Sequence, residues 1–342
     1  MTAPAHTLDL EAVSAYLRGR LPGFDGPVRA RKFATGQSNP TFLLETAAGN
    51  YVLRRKPPGV LLKSAHAVER EFRVQRALAG SAVPVARMHL LCEDDSVLGS
   101  AFYVMDYVPG RSLLDPSLPD AGPAGRAAVM DEMNRVLAAL HDVDTEAAGL
   151  ADYGPPGDYF ARQLSRWTKQ YRASETGTIP EIEELIAALE AGNAPQDGQR
   201  SLVHGDFRID NMIFAAGGPS CRALLDWELS TIGHPYADLA AVIMQWRMPP
   251  GPEGRGLAGL GRAALGLPED AEFIAAYCDR RGLPGVERFG YCLGFSFFRM
   301  AAILQGVRKR ALDGAASNRE HALRLGAYVP EFARQGLQAL SE

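Results

Sequence analysis

His204-Gly205-Asp206-Phe207-Arg208-Ile209-Asp210-Asn211 leads through a short apolar strand, Met212-Ile213-Phe214, and a turn at 215–220 into Leu224-Leu225-Asp226-Trp227-Glu228. The pattern is an aspartate, an asparagine five positions later on the same loop, and a second aspartate at the end of the next strand. Any one of these side chains alone would read as a turn cap or a strand terminator. Together they form the set that phosphoryl transfer needs, because its transition state is stabilised mainly by alignment and charge neutralisation. One carboxylate receives the proton of an attacking hydroxyl, while an amide oxygen and a second carboxylate hold Mg²⁺ against a triphosphate. Mg²⁺ prefers oxygen ligands and often takes only one or two protein carboxylates, so Asp206, Asn211 and Asp226 can supply these groups.

Upstream, runs of strand character cover 28–35, 41–46, 51–55, 88–93 and 101–107, with a hairpin signal at Ala48-Gly49-Asn50. One helix, about 64–79, interrupts them: Val68, Phe72 and the Ala77/Leu78 pair recur at helical spacing, and Gly80 and Pro84 stop it. The expected result is an antiparallel sheet with one helix packed on it. In Tyr51-Val52-Leu53-Arg54-Arg55, alternation sends Val52 and Arg54 to one face and Leu53 and Arg55 to the other. A cation there suits phosphates, and Glu71 in Val68-Glu69-Arg70-Glu71 is a partner to fix it, unless these charges form a solvated helix face. Phe33-Ala34-Thr35-Gly36-Gln37-Ser38-Asn39 is either a plain turn or a loop whose backbone N–H groups, Ser38 included, cover phosphates. Tyr103-Val104-Met105-Asp106-Tyr107-Val108-Pro109-Gly110 reads as a strand leaving the first lobe through a connector, where a purine edge could meet backbone groups.

After Pro109-Gly110 helical periodicity takes over. Met130, Met133, Leu137 and Leu140 mark one apolar face, and Phe160, Leu164, Trp167 and Tyr171 another. Further helical patterns cover 180–191, 235–246, 271–281, 286–311 and 320–340, the last broken near Pro330, and a single β-like insertion spans 202–204, 212–214 and 223–226. A chain of 342 residues is long for one domain. The expected division is a nucleotide-binding lobe at 1–108 and a helical lobe at 109–342 with the catalytic loop and acceptor site.

Composition removes other classes. A formal net charge of −4 gives no broad positive field for nucleic acid or an anionic membrane surface. Cys92, Cys221, Cys278 and Cys292 form no C-x-x-C pair and read as reduced core residues, and the seven histidines make no helical pair with zinc-ligand spacing. The N-terminus lacks a basic head followed by an apolar stretch. The most apolar stretch, 291–306, falls short of the roughly 20 residues a bilayer needs and contains Arg299, so it should be a buried helix. A cytoplasmic protein without nucleic-acid or membrane partners is expected.

With these stretches in hand, the sequence resembles the aminoglycoside phosphotransferase-like superfamily, and within it the kinase-like modules fused in some proteins to acyl-CoA dehydrogenases. The likeness rests on 51–59, 64–72, 169–176, the 204–211 loop and 225–234. It implies an α+β, protein-kinase-like two-lobed fold, with a small antiparallel-sheet N-lobe carrying one helix and a larger, mainly helical C-lobe. By the same resemblance Asp206 is the catalytic base, Asn211 and Asp226 are magnesium ligands, and Glu71 is the helix partner of the phosphate-binding cation. Backbone groups of Asp106 and Val108 become the adenine hinge, and Asp238 braces the catalytic loop. The family's usual lysine is Arg54 here, and adjacent Arg55 and Lys56 leave the register open.

The implied cofactors are ATP and Mg²⁺, and the implied partner is a small-molecule hydroxyl substrate. The dehydrogenase-linked subgroup points to a hydroxyacyl-CoA or related hydroxy acid, and to a functional link with acyl-CoA dehydrogenases. Lys169, Arg172, Arg299 and Arg308 are candidate cations for an anionic acceptor. Two alternatives stand beside this reading: a nucleotide- or acyl-CoA-binding regulatory module with little catalysis, and an aminoglycoside or other small-alcohol kinase. A protein kinase is disfavoured, since only eleven residues separate Asp226 from Asp238 and leave no room for a long activation loop.

Overall fold

The computed structural model describes residues 8–33, 39–57, 67–316 and 318–342. In chain order these form α1 (Leu10–Leu17), β1 (Arg29–Lys32), β2 (Thr41–Thr46), β3 (Gly49–Arg55), α2 (Val68–Ala77), β4 (Met88–Cys92), α3 (Asp95–Leu98) and β5 (Phe102–Asp106). There follow β6 (Arg111–Ser112), α4 (Pro123–His141), α5 (Tyr159–Ser174), α6 (Pro180–Ala191), β7 (Ser201–Val203), β8 (Met212–Phe214), β9 (Cys221–Leu224) and β10 (Thr231–Gly233). The chain ends with α7 (Tyr236–Trp246), α8 (Arg262–Leu265), α9 (Asp270–Arg281), α10 (Phe289–Leu312), α11 (Arg319–Gly326) and α12 (Val329–Leu340). Two compact units result: Met1–Ser112 with Glu146–Leu150 and Asn211–Ser230, and Leu113–Thr145 with Ala151–Asp210 and Thr231–Glu342.

The first unit is built on an antiparallel sheet of order β1-β2-β3-β5-β4. Alternation gives it two apolar faces. Phe42, Leu44, Tyr51, Leu53, Phe102 and Val104 pack with Val13 and Leu17 of α1, whereas Val52, Tyr103 and Met105 pack with Val68 and Phe72 of α2. Helix α1 was not expected: Asp9 caps it through the Ala12 N–H (3.0 Å), and it covers the face that one helix alone would leave bare. The expected start of the other helix at Ser64 lies outside the described residues. A second sheet, β6-β8-β9, completes this unit.

The second unit is helical around α10, whose Cys292, Leu293, Phe297 and Phe298 are fully buried, as expected for 291–306. The single β-like insertion expected from the sequence is two separate pairings. β7 joins β10, with Val203 opposite Thr231, while β8 joins β9. Beyond Val203 the backbone N–H groups of His204 and Gly205 turn to the carboxylate of Asp238, distant in sequence, instead of a ladder. Among the described residues no helix is long and apolar enough to cross a membrane.

Candidate active site

In the first unit, β3 and α2 bring the predicted cation and its partner together. Arg54 Nε lies 2.8 Å from Glu71 Oε2, and Nη2 donates to Asp226 Oδ1 at 2.9 Å, with Glu228 at 4.0 Å. Glu71 is buried and also accepts from Asn39 Nδ2 (2.8 Å) and the Tyr103 hydroxyl (3.0 Å). Burial works against the Arg54 charge, but Glu71 foremost among its neighbours lifts its pKa above the ordinary value. Burial pushes the Glu71 carboxyl upward despite the pull of Arg54.

The register question among the basic residues has a geometric answer. Arg55 points to the other face, donating to the Leu98 carbonyl (3.3 Å), and Lys56 pairs with Glu69 (2.8 Å). Arg54 is therefore the residue of the three that meets Glu71.

Asn211 and Asp226 occupy neighbouring strand ends of this unit. The Leu225 N–H donates to the Asn211 carbonyl (2.8 Å), continuing the Met212–Leu224 register by one step. Asp226 then adopts a left-handed backbone, φ 63°, which ends the strand. The donors are all oxygen, amide and carboxylate, and so fit a hard divalent cation. Among the described residues no group of three or more His, Cys, Asp or Glu is placed to hold a metal ion.

In the second unit the loop after β7 carries Asp206. Asp238, in the first turn of α7, accepts from the His204 N–H (2.6 Å) and the Gly205 N–H (2.8 Å), and the Asp206 N–H meets His204 Nδ1 at 3.3 Å. Behind Asp238 lies His141 Nε2 (3.4 Å), whose Nδ1 accepts from the Tyr277 hydroxyl (2.7 Å). Burial opposes charge on both, yet the bonds from His141 and the His204 backbone hold Asp238 below its ordinary value, while burial depresses His141. The pair is thus a neutral imidazole on an ionised carboxylate. Asp206 itself is about one-third exposed, with Arg208 Nε 3.4 Å from its Oδ1; Arg208 Nη2 also donates to Asp210 (3.2 Å), as does Arg255 Nη1 (2.9 Å).

At the connector the Asp106 N–H is taken by the Arg87 carbonyl (2.9 Å) and its side chain by His89 (2.6 Å), leaving the Asp106 carbonyl and Val108 backbone as the groups to consider. Ser38 lies outside the described residues. Of the candidate acceptor cations, Arg172 is bound to Glu175 and Glu183, Lys169 is exposed, and Arg308 packs its stem over Gly326. Arg299 donates to the Gly205 carbonyl. A cavity of about 590 Å³ opens in this unit, with Met244, Met248, Leu304 and Phe332 as apolar wall and Arg208 and Arg255 as cations. Arg208, Asn39 and Tyr103 were not singled out from the sequence; the signal for Arg208 was an arginine set between Asp206 and Asp210 in the loop itself.

The sheet, its buried Arg–Glu pair and the carboxylate-braced loop of the helical unit define a protein-kinase-like two-lobed fold of the phosphotransferase kind. The chain belongs to the phosphotransferase enzyme family, APH, whose model matches residues 29–289. It is 46% identical over 310 residues to mouse acyl-CoA dehydrogenase family member 10, covering 90% of this chain and 29% of that protein. It spans less than half the length of the curated relatives it first matches. A solved structure from Ralstonia eutropha, provisionally described as an aminoglycoside phosphotransferase, is 48% identical with TM-score 0.90, covering 98% and 99% of the two chains. Aminoglycoside phosphotransferase APH(4)-Ia, solved with AMP-PNP and hygromycin B, shares the fold at 17% identity and TM-score 0.63, covering 96% and 98%.

Proposed function

We propose that this chain is a Mg·ATP-dependent small-molecule kinase that transfers the γ-phosphoryl group to an alcohol carried by a hydroxyacyl-CoA or related hydroxy acid. The observation that supports the first part is Arg54, a buried cation held at once by Glu71 and Asp226. In this reading Arg54 meets the phosphates, Glu71 sets its orientation, and the Asp106 and Val108 backbone receives the adenine. Ser38 and its loop cover the phosphates. Asn211 and Asp226 would hold magnesium, which supplies charge neutralisation across the phosphate oxygens when bound. Asp206 takes the acceptor's hydroxyl proton, its loop held still by Asp238.

The acceptor class is supported by the cavity beside Arg208. Its methionine-rich wall suits an apolar body, and its arginines, each of which also bonds Asp210, add positive charge toward an anionic group. Its acid, Glu253, is already paired with Arg324 (3.0 Å), so the lining does not favour a polycationic aminoglycoside. The name of the mouse relative supports a functional link to acyl-CoA dehydrogenases. The buried free thiols are compatible with a reducing, cytoplasmic setting.

The test is ADP release with Mg·ATP against hydroxy acids, hydroxyacyl-CoAs, amino alcohols and aminoglycosides. Acceptor-dependent turnover is expected from the hydroxyacyl compounds, with Asp206→Asn lowering kcat about 10²–10⁴-fold while ATP still raises the Tm. Turnover that survives Asp206→Asn refutes the assigned base. Stabilisation by ATP without turnover on any acceptor favours a regulatory binding module instead.

A further inference from the structure

We infer that Arg299 is a positioning residue for Asp206, acting through the Gly205–Asp206 peptide; the inference rests on the phosphotransferase reading above. Arg299 projects from α10, a helix otherwise apolar around it, and its Nη2 donates to the Gly205 carbonyl at 2.6 Å. The guanidinium lies over the Trp167 ring, 5.5 Å from its centroid, and has no ion pair among the described residues. The guanidinium is half-buried, and the hydrogen bond it makes is to the backbone next to the proposed base.

The geometry of the loop says why that bond matters. Asp238 accepts from the N–H groups of His204 and Gly205, which fixes the two peptide planes before the Gly205 Cα. The plane after it, from which the Asp206 side chain departs, is not reached by Asp238. Gly205 sits at φ 81°, and a glycine can rotate the following peptide at little steric cost. That plane is held at its N–H end by the His204 ring, at a long 3.3 Å, and at its carbonyl end by Arg299 at 2.6 Å. A charge-assisted bond is roughly twice as strong as a neutral one, so Arg299 is the firmer anchor. The cation–π contact with Trp167, a ring that Arg166 also approaches, favours the guanidinium staying near this place, which a lysine at this position would not reproduce in full.

The experiment compares Arg299→Gln, Arg299→Lys and Trp167→Phe in the full chain by steady-state kinetics and native-state hydrogen exchange. Arg299→Gln should lower kcat about 10- to 100-fold with the KM for ATP and for acceptor little changed. The amides of 205–207 should exchange faster while those of α4 and α9 keep their protection. Arg299→Lys should recover part of kcat, and Trp167→Phe should show a smaller loss in the same direction; these two carry the test should Arg299→Gln not fold. A rise in acceptor KM at unchanged kcat would make Arg299 an acceptor ligand and overturn the inference. So would unchanged exchange at 205–207, or faster exchange throughout the unit. Exchange needs no turnover, so a wild-type chain that releases no ADP sinks the functional reading while faster exchange at 205–207 still supports the anchor.

Discussion

Arg54 and Glu71 meet at side-chain exposures of 12% and 2%, deep enough that removing one partner leaves a charge with little water to receive it. Arg54→Gln should therefore cost about 3–5 kcal/mol in urea unfolding, because Glu71 stays buried and loses its cation while keeping the Asn39 and Tyr103 donors. The double variant Arg54→Gln, Glu71→Gln leaves two amides that can bond each other, and should fall short of the summed single costs by about 0.5–3 kcal/mol. ATP-induced stabilisation should be lost in both. Additive costs would mean that the two side chains do not act as a pair. Strand alternation alone placed Arg54 and Arg55 on opposite faces, so this much was legible in five residues. The donors to Glu71 were not, since Asn39 and Tyr103 reach it from another loop and another strand, and no local period reports such a meeting.

Among the helices, α10 and α12 approach closely enough that glycine is a packing requirement. A Cβ added at Gly290 would lie 2.4 Å from the Ala339 carbonyl oxygen, whereas at Gly306, on the same helix, the nearest atom is the flexible end of Arg310 at 3.7 Å. Gly306→Ala should stabilise by up to about 1 kcal/mol through helix propensity. Gly290→Ala should destabilise by about 1–3 kcal/mol through overpacking. Urea midpoints of the two variants should move in opposite directions, and parallel shifts would show that α12 yields at no cost. Most helices from 180 onward were legible because apolar spacing and the proline and glycine punctuation agree, and α6 spans 180–191 in both readings, whereas the single turn of α8 is too short to show a period. Helix α1 was missed because its own sequence buries only Val13 and Leu17, and its partners are strand residues far along the chain. The β7–β10 pairing was missed for the same kind of reason: what takes β7 away from β8 is the carboxylate of Asp238.

At the scale of the molecule, contacts between distant positions gather 146–150 and 211–230 with the N-terminal residues, an interleaving that a change of periodicity near 108 does not encode. The helical unit also stores its proton balance in buried groups. Burial lowers the pKa of His141 and of His234 below the ordinary 6.5, so each is neutral when folded and binds a proton on unfolding. Between the folded value and 6.5 the unfolded chain holds more protons, and stability must fall as the pH falls through that window. The slope is at most about 1.4 kcal/mol per pH unit for each histidine. Asp238 acts lower down: its folded pKa lies beneath 3.8, so its contribution is complete above that value and disappears only as the pH drops through the depressed one. Unfolding free energies should therefore decline from about pH 6.5 to 5.5 through the two histidines, with Glu71, whose pKa burial raises, acting in the opposite sense as the pH falls. His141→Gln, whose amide can still donate to Asp238 and accept from Tyr277, should remove about half of that decline; an unchanged slope would place the acid sensitivity elsewhere.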